Sequence, residues 1–286
     1  MKRSLFAATA IVAFSTASFA QDVAQKDSKW FTDGLAKIQE MTARQPITAK
    51  AKNVILFTAV GNGVGTNYAT RLFVGQQKGG LGEEYVLPYE TFPNLALVKT
   101  YNTNAQTPDS APTASAMNTG VKSKFTTINV SEDVVAGDCS TLAGNELTTF
   151  AELMEDAGKS VGVVSTARLT HATPAAVYVN TVHRNWEDNT GIPEGCAQKD
   201  IADQLIEAMK SGRVDVALGG GRRHFIPTDV TDEEGKGGKR TDGRNLIEEL
   251  KTSGAQYAWD DESFKALTTG NNAPILGLFE SSHMKY

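Results

Sequence analysis

Short apolar runs, each closed by a turn, alternate with helix-like segments along this chain, and that alternation limits the fold more than any other feature. Asn53-Val-Ile-Leu-Phe-Thr-Ala-Val60 carries no charge and leads into Gly61-Asn-Gly-Val-Gly65. A strand buried on both faces reads this way, as in a parallel sheet, whereas a strand with one wet face alternates. Leu95–Tyr101, Ser160–Thr166, Val214–Leu218 and Pro274–Phe279 are the further strands expected. Helices are expected over about Thr66–Val74, Ser110–Asn118 closed by Gly120, Glu146–Ala157, Ile201–Lys210 and Asn245–Ser253. Thr173-Pro174 reads as an N-cap with proline at the first helical position. The class is therefore α/β, a mainly parallel sheet with helices on both faces. In such sheets functional groups gather in the loops after the strand C-termini.

Composition narrows the partners. The 286 residues are 40% hydrophobic and 21% charged, which excludes a disordered or collagen-like chain. The net charge of −5 argues against a nucleic-acid partner, which calls for a basic face.

The N-terminus reads as an address. Lys2 and Arg3 precede the short apolar stretch Leu5–Phe14, and Ser18-Phe19-Ala20 supplies small residues at a cleavage site. A signal peptide over residues 1–20 is expected, leaving roughly 266 residues exported to a periplasmic or extracellular space. Residues 21–49 form a polar, helix-prone lead-in, with Trp30, Phe31, Leu35 and Ile38 at helical spacing, and residues 50–286 follow as one domain. No later segment has a long uncharged apolar run, so no membrane partner is expected. After export, the two cysteines, Cys139 and Cys196, are most simply one disulfide, since neither has a CxxC partner for a zinc site.

Three segments carry candidate chemistry. In Thr107-Pro-Asp-Ser-Ala-Pro-Thr-Ala-Ser115, Asp109-Ser110 falls where a loop enters a helix. Backbone N–H groups there can hold an anion such as phosphate, and a neighbouring metal ion would make the Ser110 hydroxyl a nucleophile. A plain helix cap is the competing reading of the same pair. In Arg168-Leu-Thr-His-Ala-Thr-Pro174, His171 and Thr173 suit magnesium, which takes oxygen ligands and keeps waters; a capping Thr and an ordinary loop His is the alternative. Arg184 offers a fork for two phosphate oxygens, although a lone Arg is often only solvated. The glycine turn after Val60 also invites a dinucleotide reading, but the next strand ends in Lys99-Thr-Tyr101 without the carboxylate that reading needs.

Taken together and in order, these segments resemble the metal-dependent alkaline phosphatases. The resemblance rests on Lys52-Asn-Val-Ile-Leu-Phe57, Lys99-Thr-Tyr101, Pro108-Asp-Ser-Ala111, Gly120-Val-Lys122, Gly158-Lys-Ser-Val-Gly-Val-Val164, His171-Ala-Thr-Pro-Ala175, Arg184-Asn-Trp186, Gly219-Gly-Gly-Arg222 and Gly277-Leu-Phe-Glu280. It runs from about residue 50 to the end, and His171-Ala-Thr-Pro-Ala175 is closer to the animal and marine-bacterial branch. The resemblance implies hydrolysis of phosphate monoesters through a phosphoserine, with two zinc ions, one magnesium ion and a homodimer. Ser110 would then be the nucleophile, Arg184 the phosphate clamp, and His171 and Thr173 the magnesium-site residues. Cys139 and Cys196 match positions that pair in that branch.

Two positions depart from the family pattern. Asn62 stands where the family has a metal-bridging Asp, and an amide lacks the charge to bridge two cations. Pro112 replaces a glycine in the first helical turn, where proline is tolerated but removes an N–H. The family chain continues beyond this length and supplies its zinc ligands there, whereas His171, His183, His224 and His283 form no zinc-spaced cluster. The expectation is therefore the N-terminal portion of an alkaline phosphatase domain, poorly soluble by itself. The alternative is a truncated or degenerate relative without catalysis.

Overall fold

A computed structural model describes residues 24–285 apart from Pro46. The expected signal peptide lies outside the described residues. Two compact units divide the chain. One holds the segment up to Thr58 together with Gly63–Leu95, and the other holds Ala59–Asn62 and Ala96–Tyr286.

The first unit contains helices α1 (Lys29–Ala43) and α2 (Val64–Gln77). α1 occupies the middle of the expected lead-in, and none of its residues is buried. α2 ends against a turn at Gly82, where a Cβ on Gly75 would meet the Gly82 Cα at 2.5 Å. Only glycine permits that approach.

The second unit carries the sheet. Its elements are α3 (Ser110–Thr119), α4 (Phe150–Asp156), β1 (Gly162–Arg168), α5 (Ala172–Ala175), α6 (Ile201–Lys210), β2 (Val216–Gly220), α7 (Leu246–Thr252), β3 (Gln256–Ala258), α8 (Asp261–Lys265) and β4 (Ile275–Leu278). The four strands lie in the order β1-β2-β4-β3, all parallel. Val163 pairs with Ala217, Ala217 with Leu276, and Leu276 with Tyr257. Because paired residues share a face, this row forms one floor, and Val163, Ala217 and Leu276 are buried with α6 and α7. α6 shows why: Ile201, Leu205, Ile206 and Met209 fall on one stripe, and Asp200 caps its N-terminus. On the opposite face Val164 is 74% exposed, in a groove shared with Leu218, Trp259, Phe264 and Phe279.

Two expected strands are absent. Asn53–Val60 and Leu95–Tyr101 join no ladder among the described residues, and Phe57 and Leu97 are 88% and 98% exposed. An apolar run shows that burial would be favourable, but it does not supply a neighbouring strand, and a parallel strand exists only through its ladder. Among the described residues, β1 and β3 bond on one side only. A third correction concerns α5. His171, not Thr173, is its N-cap, and Thr173 is the second helical residue. α4 also starts later than expected, at Phe150, because the Thr149–Glu152 capping box sets its first turn.

Candidate active site

Two short helices bring the candidate residues together. α3 is largely covered from its first turn on; Ala111, Pro112, Ala114 and Ser115 are buried, and α3 packs on α5, where Ala172 and Ala175 are buried. Small side chains on both helices let their backbones approach closely. Pro112 sits in the first turn of α3, where its missing N–H has no intrahelical partner to lose. A second tie is polar. Asn129 donates from Nδ2 to the carbonyls of Ala176 and Val179 at 2.8 and 2.7 Å, while its own N–H donates to Ser115 Oγ at 2.8 Å.

Asp109 is the N-cap of α3, its carboxylate accepting the Ala111 N–H at 3.4 Å. It also accepts the Thr126 N–H at 2.8 Å and a close ion pair from Arg184 Nη1. Arg184 Nη1 donates to Ser110 Oγ at 2.8 Å, and its Nη2 lies 3.0 Å from His171 Nε2. The Thr126 carbonyl accepts the Arg184 backbone N–H at 2.8 Å, so one loop residue touches both members of the Asp109–Arg184 pair. Thr126 does so at φ 71°, a left-handed conformation costly for a β-branched side chain.

Electrostatics fixes the state of His171. Burial lowers its pKa to about 4, with Arg184 and Arg168 adding to the effect, so the ring is neutral at neutral and alkaline pH. With the Arg184 guanidinium donating to Nε2, the ring proton resides on Nδ1, an assignment inferred from the hydrogen bonds. Nδ1 is buried without a hydrogen-bond partner, and so is Thr173 Oγ1. Two orphaned buried polar atoms two residues apart fit a hydrated magnesium ion, to which the hydroxyl would be an oxygen ligand and Nδ1–H a donor through a bound water. Zinc does not find its donors. No group of three His, Cys, Asp or Glu side chains able to hold a metal exists among the described residues.

Hydrogen bonds thus join Ser110, Arg184 and His171, with Thr173 two residues after His171. Asn62 is not one of that set; it lies in the exposed turn at Gly61–Gly63, its N–H bonded to the Ala59 carbonyl at 3.2 Å. The expected disulfide is present between Cys139 and Cys196, with Cα atoms 5.9 Å apart. It packs against a small separate core of Val130, Val134, Val182 and Trp186, just beyond Arg184.

Comparison with known proteins decides the family. A sequence profile of the alkaline phosphatase family matches residues 51–286. The membrane-bound alkaline phosphatase of Bombyx mori is 43% identical over 82% of this chain and 45% of its own length. The tissue-nonspecific isozyme of Mus musculus is 40% identical over 99% of this chain and 56% of its own length. The chain belongs to the alkaline phosphatase family. It spans about half the length of the curated relatives it matches. Among solved structures, a variant of the alkaline phosphatase of the Antarctic bacterium TAB5, with Mg bound, superposes with a TM-score of 0.52 at 22% identity. It covers 74% of this chain and 51% of that one, which supports the same α/β fold.

Several site residues escape a linear reading of an alkaline phosphatase of this kind. Asp109 looks like a helix cap and is also the partner of Arg184. Arg168 and Glu187 form an ion pair at 2.7 Å behind the site, and His283 sits edge-on to His171 at 5.6 Å. Only the proximity of Asp109 to Ser110 was visible as a signal; the other contacts cross from 19 to more than 100 residues.

Proposed function

We propose that this chain binds phosphate monoesters at Ser110 and hydrolyses them through a phosphoserine. The observation that carries the reading is the contact of Arg184 with Ser110 Oγ at the N-terminus of the ten-residue α3. There the guanidinium and the first-turn N–H groups both favour negative charge. Ser110 Oγ attacks phosphorus, the bond to the ester oxygen breaks, and the serine proton goes to the departing alcohol. Water then cleaves the Oγ–P bond, releasing phosphate and restoring the hydroxyl. Arg184 holds two phosphate oxygens through both steps, and Asp109 holds Arg184. Magnesium, bound by Thr173 and through water by His171, would supply positive charge beside the transferred group. No step is drawn through zinc. The exported location, the 50–286 domain limits and a homodimer belong to the same proposal. Among the described residues no helix is long and apolar enough to cross a membrane.

A second reading, phosphate binding without turnover, is favoured by the lack of a three-donor group among the described residues and by an amide at Asn62. One experiment separates the two. The chain is assayed on an aryl phosphate at alkaline pH with magnesium and zinc, and inorganic phosphate binding is measured by calorimetry. Turnover abolished by Ser110→Ala supports hydrolysis. Binding weakened about thirtyfold or more by Arg184→Met, with no turnover, supports the second reading. No binding and no turnover would refute both.

A further inference from the structure

Glu187 touches neither Ser110 nor Arg184, yet it sits where the two halves of the candidate site are tied together. Its Oε1 accepts from Arg168 Nη2 at 2.8 Å, and its Oε2 accepts from Arg168 Nε at 2.7 Å and from Thr170 Oγ1 at 2.6 Å. Arg168 ends β1, and Thr170 immediately precedes His171. Glu187 itself follows Arg184 by three residues. Its carboxylate therefore spans from the segment that presents His171 and Thr173 to the segment that presents Arg184.

The tie is built from several directions. His224 Nε2 lies 3.4 Å from Glu187 Oε2, while its Nδ1 lies 2.6 Å from Asp188 Oδ2, so one ring anchors two consecutive carboxylates. Trp186, on the preceding residue, is buried in the small core beside the disulfide. Arg168 Nη1 reaches His283 Nε2 at 2.6 Å, and the His283 ring stands against His171. The side chains of Glu187 and Arg168 are each 14% exposed. Burial pushes the Glu187 carboxyl up, but Arg168, His224 and Thr170 outweigh it and leave it at about 2. A bidentate Arg–carboxylate pair with a third donor is a rigid joint, because each bond fixes a different direction.

We infer that Glu187 is a positioning residue, setting the Arg184 guanidinium against the His171–Thr173 turn so that both face one phosphate. This rests on the phosphate-site reading above. Glu187→Gln keeps the shape but removes the charge and turns an NH2 toward groups that are themselves donors.

The test uses the full chain with magnesium present. Inorganic phosphate affinity is measured by calorimetry, folding by thermal melting, and local order by amide hydrogen exchange over residues 169–176 and 182–187. In E187Q the expected result is phosphate binding about tenfold weaker, a cooperative melt, and faster exchange in those two segments together. A folded E187Q with parental phosphate affinity overturns the inference. If E187Q does not melt cooperatively, the pair is replaced by apolar volume in R168M/E187L, which leaves no buried charge unpaired. Parental affinity in that variant overturns the inference, and a loss of about tenfold supports it. If the parent chain binds no phosphate, the site reading fails separately and exchange decides alone. Parental protection of both segments in E187Q then overturns the positioning role, and joint loss supports it.

Discussion

Replacing Cys139 and Cys196 together by alanine should lower the unfolding free energy by ~4 kcal/mol. The bridge joins two residues 57 positions apart in the sequence. A loop of that length loses about 14 cal/mol/K of chain entropy when its ends are tied, which is ~4 kcal/mol at room temperature. The folded state contributes less. Val130, Val134, Val182 and Trp186 pack on one another whether or not the sulfurs are joined, and each alanine leaves only a small void beside Leu142 and Ile192. Urea unfolding, followed by tryptophan fluorescence in the oxidised chain and in C139A/C196A, measures the difference, provided both transitions are two-state. An unfolded chain without the bridge is also more expanded, so the urea slope should rise on its removal. A loss below about 1 kcal/mol would refute the loop-closure argument. So would a large loss with an unchanged slope, which would place the effect in the folded state.

Thr126→Asn should raise stability by about 0.5–1 kcal/mol, since asparagine tolerates the left-handed conformation at φ 71° and both backbone hydrogen bonds survive. Unchanged or lower urea midpoints would show that the strain is relieved elsewhere. Acid sensitivity follows from Glu187 and Asp188, each lowered to about 2 against its burial, by Arg168, His224 and Thr170 for the first and by His224 and Thr190 for the second. Unfolded, both titrate near ~4, so the stability they confer is complete above about pH 5 and is lost as pH falls toward 2. Urea midpoints taken across that range should fall less steeply in E187Q than in the parent, and parallel slopes would sink the assignment.

What the sequence revealed depended on how local the cause was. α6 was readable to its last residue, because an apolar stripe, an Asp200 cap and Lys210 in the last turn all lie within one window. The helix behind Ser110 was readable for the same reason, with Asp109 and Gly120 at its ends. Asn53–Val60 was misread because its composition matched a buried strand while the ladder partner, a long-range property, is not written in the run itself. The start of α5 was misplaced by two positions, since Thr-Pro and His-Ala-Thr-Pro both offer a start to the same short helix. Glu187 was invisible. A glutamate in a loop usually faces water, and nothing near it in sequence announces Arg168, Thr170 and His224 as its partners.

The alanine contact between α3 and α5 has a consequence for how this region can vary. Ala111, Ala114, Ala172 and Ala175 are already close to the smallest side chains available, and all are almost completely buried. Change there has one direction only, toward added volume, and each added carbon pushes Ser110 away from His171. Larger residues at these four positions should therefore be filtered out as a group in any mutational scan selected for phosphate chemistry. The charged residues that make up the site can be exchanged for related ones at graded cost, but the distance between the two helices admits no such gradation.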